Sequence, residues 1–571
     1  MRLTPSLASS STSSVFSPRL ALALIWCAFL LRGIFYCVEQ PLWEGFDEWA
    51  HFAVIQHVAE HGSLPSRADL ISPAVQRSLS LAPLSRAAAG GMPDRLTHDS
   101  FWRLPVEQRT QFQEALRALS SSSPAPAPIE AIANQYEAQQ PPLYYLLLAP
   151  LFLATRGLSL IAQVLCLRMA SLLIASLIVP LVFAVCRDIL PDVRFALLVA
   201  LLTASLPGLF IDICRVANDG LAAVAASAVI LYAIKASRPA ARLRVWVTLG
   251  LLMGAALLTK AYLLVFLALL PLAAILRIAR EHRKRRIAGG CAIAIVTCLV
   301  IGAWWYVRAW WITGTLSGEQ LDAQTARLPL SQKLSAVLAI DWRKVCDDAV
   351  RSHIWVGAWS FLVVHAWMYR VFELVGLIAI VGLLAFFFRL RLDASRVANV
   401  RAADIVLLLA AWVLVCLVVA YHSLVLFLTQ SSSTAQGWYL YPGLASELTL
   451  IAVGFLGLFG ERWSPRCLAL LCLLALALDL YTLHSLLAPY YTGIISHNAR
   501  GALALAQPGT RKDSALVLET LQRLSASKPA AISPPVIGVL WGLYLAASAT
   551  LAAAALLLGI GPAPSPERDR A

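Results

Sequence analysis

The stretch WEGFDEWAHF, residues 43–52, brings three carboxylates and an imidazole into ten positions. Helical spacing sets Asp47 with His51 on one face, and Glu44 with Glu48, since residues four apart are neighbours on a helix. An acid beside a histidine can take a proton from a hydroxyl during group transfer. The same two types can begin a metal site, as can His57 and His61, but nothing in the sequence fixes a third ligand. A solvated helix lying on a membrane surface carries this pattern as well. Spacing alone does not separate the three.

Further groups could join such chemistry. Tyr136 to Tyr145 runs from polar residues through Pro141-Pro142 into an apolar helix that holds Tyr144. Proline is tolerated there because the first turn's N–H groups lack partners anyway. In RVANDG, residues 215–220, Asn218 and Asp219 are helix-capping types as much as site residues. Lys260 lies between two apolar runs, where an unpaired ammonium is costly and must snorkel or pair. Arg308, in WWYVRAW, ends another run. Two cations beside several carboxylates suit an anionic headgroup, whereas each alone is an ordinary interface anchor.

The elements that must position these residues follow from composition. The chain has 571 residues, 59% of them hydrophobic and only 14% charged, with a mean hydropathy of +0.72. Globular domains have roughly 45–50% apolar and about 25% charged residues, so a soluble enzyme is excluded. The net charge of +14 comes from 46 basic and 32 acidic residues. With so few charges overall it marks one membrane face more than a nucleic-acid surface. Most of the 11 cysteines sit inside apolar runs, where a thiol is a small hydrophobe, and no disulfide framework can be read.

Apolar runs cover about 20–36, 143–155, 163–186, 195–211, 219–234, 245–259, 262–276, 287–307, 362–388, 403–428, 442–459, 467–483 and 532–558. The first contains Arg32 and lacks a small-residue cleavage pattern, so a retained span is expected and not a signal peptide. Several runs fall short of the roughly 20 residues that a perpendicular crossing needs, and 143–155 reads as re-entrant or partial. The expectation is 12 or 13 membrane helices. Basic clusters at 235–244, 277–286 and 389–401 place those connections in the cytoplasm. Segments 37–140, 212–218, 308–361, 429–441 and 484–531 are then outside. If 143–155 crossed fully, the short turn at Arg187 and Arg194 would fall outside too, against the rule.

The outer segments are too long to be simple connections. The first holds an amphipathic stretch at 45–60, a second helical patch at 105–119, and an alternating Pro124, Pro126, Pro128 tract expected as an exposed turn. Segment 308–361 is rich in tryptophan: Trp310, Trp311, Trp342, Trp355 and Trp359. An interfacial aromatic belt accounts for these as well as a sugar platform does.

The ordered set PLWEGFDEWAHF (41–52), QQPPLYYLLLAPLF (139–152), RVANDGLA (215–222), LLMGAALLTKAYLL (251–264) and WWYVRAWWITG (304–314) carries a resemblance. Over residues 20–460 the chain resembles the membrane glycosyltransferases of the C-type (GT-C) fold. These include the bacterial aminoarabinose and mannosyl transferases that use polyprenyl-phosphate sugars. QGWYLYP (436–442) is similar to the Gln-Gly-Arg-Tyr motif of an uncharacterised bacterial branch, with Trp438 standing where that branch usually has arginine.

The resemblance implies an all-α polytopic GT-C fold with a cytoplasmic 1–19, a catalytic module over 20–460 and further membrane helices over 461–571. It implies Asp47 as general base, Glu48 as its acidic neighbour and His51 as the motif's histidine. Lys260 and Arg308 would meet the donor phosphate. Glu44, Tyr144, Arg215, Asp219, Gln436 and Tyr439 would support the site or bind acceptor. The implied reaction moves a sugar from a polyprenyl-phosphate donor to a lipid, glycan or protein acceptor, outside a bacterial cytoplasmic membrane. No cofactor is required by it, and a metal is neither demanded nor ruled out, a divalent cation being compatible. A polyprenyl phosphate is already an acceptable leaving anion, so cations can take the place of a general acid. A lipid-linked glycan ligase or polymerase would want the same cations without the carboxylate pair after the first span. A transporter or flippase would show internal hydropathy repeats and ionisable groups at mid-depth, whereas here they gather at one face.

Overall fold

Inside a bilayer no water can satisfy backbone N–H and C=O groups, and a helix satisfies all of them within one segment. The computed structural model describes residues 17–89, 95–120, 134–239, 241–281, 283–392, 400–498, 501, 503 and 514–560. Among the described residues the chain is all-α, with isolated bridges and no strand. Residues 1–16 and 561–571, the alternating Pro124, Pro126 and Pro128, and Arg396 lie outside the described residues.

Helix α1 spans Pro18–Glu39 and begins on Ser17, whose hydroxyl accepts from the Leu20 N–H at 3.3 Å. Helix α2 covers Glu48–His61, α3 Leu143–Thr155, α4 Leu160–Ile189, α5 Asp219–Ala236, α6 Leu243–Leu257 and α7 Ala261–Ile278. Helix α8 covers Lys284–Thr313, α9 Gln320–Ala326, α10 Leu330–Ala339, α11 Trp342–Ile354 and α12 Ala366–Leu392. Helix α13 covers Ala402–Gln430, α14 Leu444–Tyr481 and α15 Pro534–Ile560.

Each apolar run of the sequence falls mainly on helix. By length and composition, nine described segments can cross a membrane, or ten if Val193–Ser205 and Pro207–Ile213, bent by 61°, form one span. The bend falls where Pro207 cannot continue the preceding hydrogen-bond ladder. The sequence expectation of 12 or 13 exceeds nine or ten because it includes shorter elements and takes separately the runs 442–459 and 467–483, which this length criterion joins as Gly437–Tyr491.

The two faces of the bundle can be told apart. Arg238 bridges Asp188 at 3.3 Å and Asp404 at 3.4 Å, so the end of α4, the end of α5 and the start of α13 meet on one face, here the basic face. The turn at Arg187 and Arg194 therefore shares that face, and the sequence conflict disappears through α3. The Leu143 N–H donates to the Leu258 carbonyl at 2.9 Å and the Leu160 N–H to Leu119 at 2.8 Å, both on the opposite face. Helix α3 does not cross. Within α14, Gly460 takes φ 71° and ψ 178°, a conformation that glycine adopts without a Cβ penalty. Before it α14 runs alongside α12, Gly454 and Gly457 against Gly382. After it Cys472 reaches the Leu198 carbonyl at 3.5 Å in an element of the opposite direction. The chain reverses there. To the nine segments, the bent pair, α6 and the second half of α14 add three that join the two faces, which gives twelve among the described residues.

The C-terminal helices pack onto the first span. Asp479 pairs with Arg32 at 2.6 Å and accepts from Tyr36 at 2.7 Å and from Tyr544 of α15. All four side chains are buried, so the charges are matched within the bundle, as their depth demands. The helical patch expected at 105–119 is a helix over Val106–Ala118. The tryptophans of 308–361 divide: Trp310 and Trp311 are exposed at the end of α8, Trp355 is buried, and Trp359 faces the cavity described next.

A candidate active-site cavity on the face opposite the basic connections

A cavity of about 1150 Å³ opens between α2, the start of α5, the start of α7, α9, α13 and the turn Gly437–Gly443. Its first wall is built by the turn before α2. Trp43 and Asp47 take left-handed φ values of 65° and 53°. Glu44 fixes this turn by accepting from His98 at 2.9 Å, the Ser360 N–H at 2.7 Å and Tyr491 at 3.2 Å. Gly45 lies against Arg215 so closely that a Cβ would stand 2.6 Å from the Arg215 Cβ. That approach lets Arg215 donate to the Phe46 carbonyl at 2.5 Å.

The result is an Asp47 aimed into the cavity. Its carboxylate makes no cap to α2 and no hydrogen bond or ion pair among the described residues. Burial raises its pKa, Arg215 and Lys260 pull it back, and Asp219 raises it further. A carboxylate of raised basicity with no partner among the described residues is, when ionised, suited to accept a proton. His51, one turn along α2, also lines the cavity, with Nδ1 2.9 Å from the Tyr145 hydroxyl. Burial first, then Lys260 and Arg215, hold its pKa well below the usual value, so it stays neutral.

A charge cluster forms the floor. Arg215 Nη2 donates to Asp212 and Asp219, each at 2.7 Å, and Lys260 pairs with the other oxygen of Asp219. Asp219 opens α5 but does not act as a simple cap, and Asn218 donates instead to the Thr259 carbonyl at 3.0 Å and Gln140 at 3.3 Å. Lys260 also sits over the Tyr262 and Tyr439 rings at 5.3 and 5.7 Å.

A second acidic group lies across from Asp47. Glu319 accepts from Gln140 at 3.0 Å and Gln139 at 3.3 Å, and Glu137 faces the same space. Burial, then Asp47 and Glu319, push the Glu137 carboxyl well above its ordinary range. Burial and Asp322 push Glu319 up to about 7, against the pull of Lys260. Among the described residues no three His, Cys, Asp or Glu side chains gather as a cation site.

The remaining walls are aromatic and apolar. Phe46 stacks on Trp438 at 4.1 Å, Trp359 packs on Phe46 edge-on, and Tyr439, Gln436 and His422 complete that side. Trp438 thus fills with a ring the place where arginine was the expected type. Toward α13 the lining becomes Leu417, Val418, Leu424 and Val425. Leu417, on the spanning helix α13, is 57% exposed.

Of the residues expected from sequence, Asp47, His51, Arg215, Asp219, Lys260, Gln436 and Tyr439 line this one cavity. Four do not. Glu48 is buried in a two-pronged pair with Arg168, at 2.7 and 2.6 Å, and accepts from the Val216 N–H at 3.0 Å. Glu44 is the turn-holder described above. Tyr144 bonds Ser171 at 2.6 Å in the core. Arg308 lies over the Trp305 ring at 4.8 Å on another side of α8. Helix α2 itself is no surface helix, since Ala50, Phe52, Ala53, Val54 and Ile55 are all buried. Sequence reasoning missed Glu137, Glu319 and Arg67 as lining residues, and left Trp359 between an aromatic belt and a sugar platform. The polar run 136–140 was the only signal for the first, and nothing local marked Glu319 or Arg67.

Residues 29–446 match the family described as "Predicted membrane protein (DUF2142)". None of the curated proteins matches the sequence. Among solved structures the chain is similar to ArnT from Cupriavidus metallidurans bound to undecaprenyl phosphate, at 14% identity and a TM-score of 0.42, over 95% of this chain and 76% of that one. The apo form of that protein gives 14% identity and 0.43, over 95% and 78%. An Archaeoglobus fulgidus oligosaccharyltransferase in complex with zinc and sulfate gives 12% identity and 0.34, over 81% and 52%.

Proposed function

The chain belongs to the family of predicted membrane proteins DUF2142, and we propose that it is a glycosyltransferase of the GT-C type. It moves a sugar from a polyprenyl-phosphate donor to an acceptor hydroxyl, with Asp47 as general base. The observation that carries this is Asp47 itself, a carboxylate of raised pKa with no partner among the described residues, in a cavity walled on one side by the spanning helix α13. The acceptor proton passes to Asp47 as the acceptor oxygen bonds the anomeric carbon. The bond from that carbon to the phosphate oxygen breaks on the opposite side, and polyprenyl phosphate leaves with the electron pair. Lys260 stands where it can turn from Asp219 toward the phosphate and stabilise the departing charge. Arg215, doubly paired, holds Asp219 and the Phe46 carbonyl in place. Stacked Phe46 and Trp438, with Trp359, offer faces for a sugar ring.

Sidedness follows the positive-inside rule: the basic face is cytoplasmic and the cavity is extracytoplasmic in a bacterial cytoplasmic membrane. One observation favours a second reading. About 1150 Å³ exceeds the roughly 300–1,000 Å³ of ordinary ligand pockets, so transfer of a whole lipid-linked glycan also fits the space. Mass analysis of the polyprenyl-linked lipids of a deletion strain tests both. Accumulation of a polyprenyl phosphate bearing one sugar supports the leading assignment, a longer glycan supports the second, and an unchanged lipid pool contradicts each.

A further inference from the structure

Helix α10 presents three distinct sides at about 100° per residue. Ala336 and Ile340 are buried, with Lys333 on the same side lining the cavity. Ser331, Gln332 and Ser335 form a polar side. Between them runs a stripe of Leu330, Leu334 and Leu338, exposed by 71%, 55% and 88% and left uncovered among the described residues. Large leucines repeating every four residues are what a core-facing helix buries, and here they face outward.

The height of α10 identifies what covers the stripe. Helix α9, just before it, is tied to α13 by the Tyr421 hydroxyl, which donates to Asp322 at 3.1 Å. Tyr421 lies about 28 Å along α13 from Ala402 at 1.5 Å per residue, close to the roughly 30 Å of a bilayer's hydrocarbon core. The Asp341 N–H, just past α10, donates to Ser433 at 3.1 Å, beyond the end of the same span. By the same rise the end of α13 at Gln430 stands about 42 Å from Ala402, so the segment climbs from the acyl-chain boundary at α9 toward the outer edge of the headgroup layer at the end of α10. At the end of α8, Trp310, Trp311 and Ile312 are exposed too, and Trp310 lines the same cavity as Lys333. The leucine stripe continues a lipid-facing surface that the spanning helices already present.

We propose that α10 is an interfacial membrane helix at the mouth of the cavity, whose Leu330 and Leu334 meet the lipid acyl chains while Leu338 lies in the headgroup layer. Its partner is the bilayer. This holds whether or not the cavity transfers sugars. The helix is the sill over which any lipid reaches the cavity, with Lys333 turned inward from it.

The test places a photoreactive benzophenone amino acid at Leu334 or Gln332 of the full chain, reconstituted in vesicles of phosphatidylethanolamine and phosphatidylglycerol. Both positions are exposed, so neither change removes a packed side chain. After irradiation, mass analysis of the α10 peptide should find phospholipid attached at Leu334 and that adduct lost at Gln332. No lipid adduct at Leu334, equal adducts at both positions, or a Leu334 cross-link to a second copy of the chain would each overturn the proposal.

Discussion

Asp47 and Glu48 are neighbours in the chain, yet their carboxylates point to opposite fates. Asp47 opens onto the cavity without a partner, while Glu48 is gripped by Arg168 at 2.7 and 2.6 Å in the core. Arg168 also donates to the carbonyls of Cys37, Gln40 and Pro41, so Glu48 fixes the turn that aims Asp47.

Glu48→Gln should therefore act on folding before it acts on chemistry. Removing one member of a buried ion pair leaves the other uncompensated, a loss of about 3–5 kcal/mol. Thermal unfolding of the purified variant should show a clear fall in Tm, with transfer lost in proportion to the folded fraction. A fully stable but inactive Glu48→Gln would instead give Glu48 a chemical role.

Lys260 and Arg308 should separate. Lys260→Met removes a cavity cation, and we expect at least about a tenfold loss in kcat/KM for the lipid donor, the scale of one lost charge-assisted contact. Arg308→Ala should leave donor kinetics within about twofold, because Arg308 packs over Trp305 away from the cavity. Titrating donor against monodisperse variants checks both, and equal losses would return Arg308 to the site.

The unequal fate of these residues shows what the sequence could carry. Asp47, His51, Asp219 and Lys260 were legible because each is a polar residue beside an apolar run, whereas Gln436 came only from the resemblance of QGWYLYP. Arg308 shares that local signature, but a helix turns about 100° per residue, so it points about 200° away from Trp310, which does line the cavity. Phase on a spanning helix depends on packing, and no periodicity reveals it when apolar residues surround every side. Glu137 and Glu319 meet only after the chain has crossed several times, so neither one's local sequence contains the other. The helices were legible because apolar runs in a bilayer have one backbone solution. That α3 stays on one face was only partly so: its thirteen residues were too few, but its anchors at Leu258 and Leu119 lie far along the chain.

The pH profile has a definite sign. In the proposed mechanism Asp47 serves as a base only when ionised, so activity should fall as pH drops through its pKa. Burial raises that pKa, and the acidic limb of kcat/KM should lie above the ordinary aspartate value of about 3.9. Lys260 pulls the pKa down, so Lys260→Met should carry the limb to still higher pH. A limb that moves down in that variant would contradict the assignment of the titrating group.

Sidedness is open to chemical labelling. A cysteine at Ser432, just beyond α13 on the cavity face, should react with a membrane-impermeant maleimide in intact cells. One at Glu281, beside Arg277 and Arg280 on the basic face, should react only after lysis. The reverse pattern would put the cavity in the cytoplasm.

Transfer and donor binding by Asp47→Asn test the central claim most directly. The substitution keeps the size of the side chain and removes only its capacity to accept the proton. It should not destabilise the protein: a carboxylate whose folded pKa is raised favours folding when protonated and loses that contribution as pH rises through the folded pKa. At neutral pH an amide therefore removes a burdened charge. Sugar transfer should fall by roughly 10²–10⁴-fold, the range for loss of a general base, with lipid-donor binding and Tm retained. Near-normal transfer by a folded, donor-binding Asp47→Asn would contradict the account.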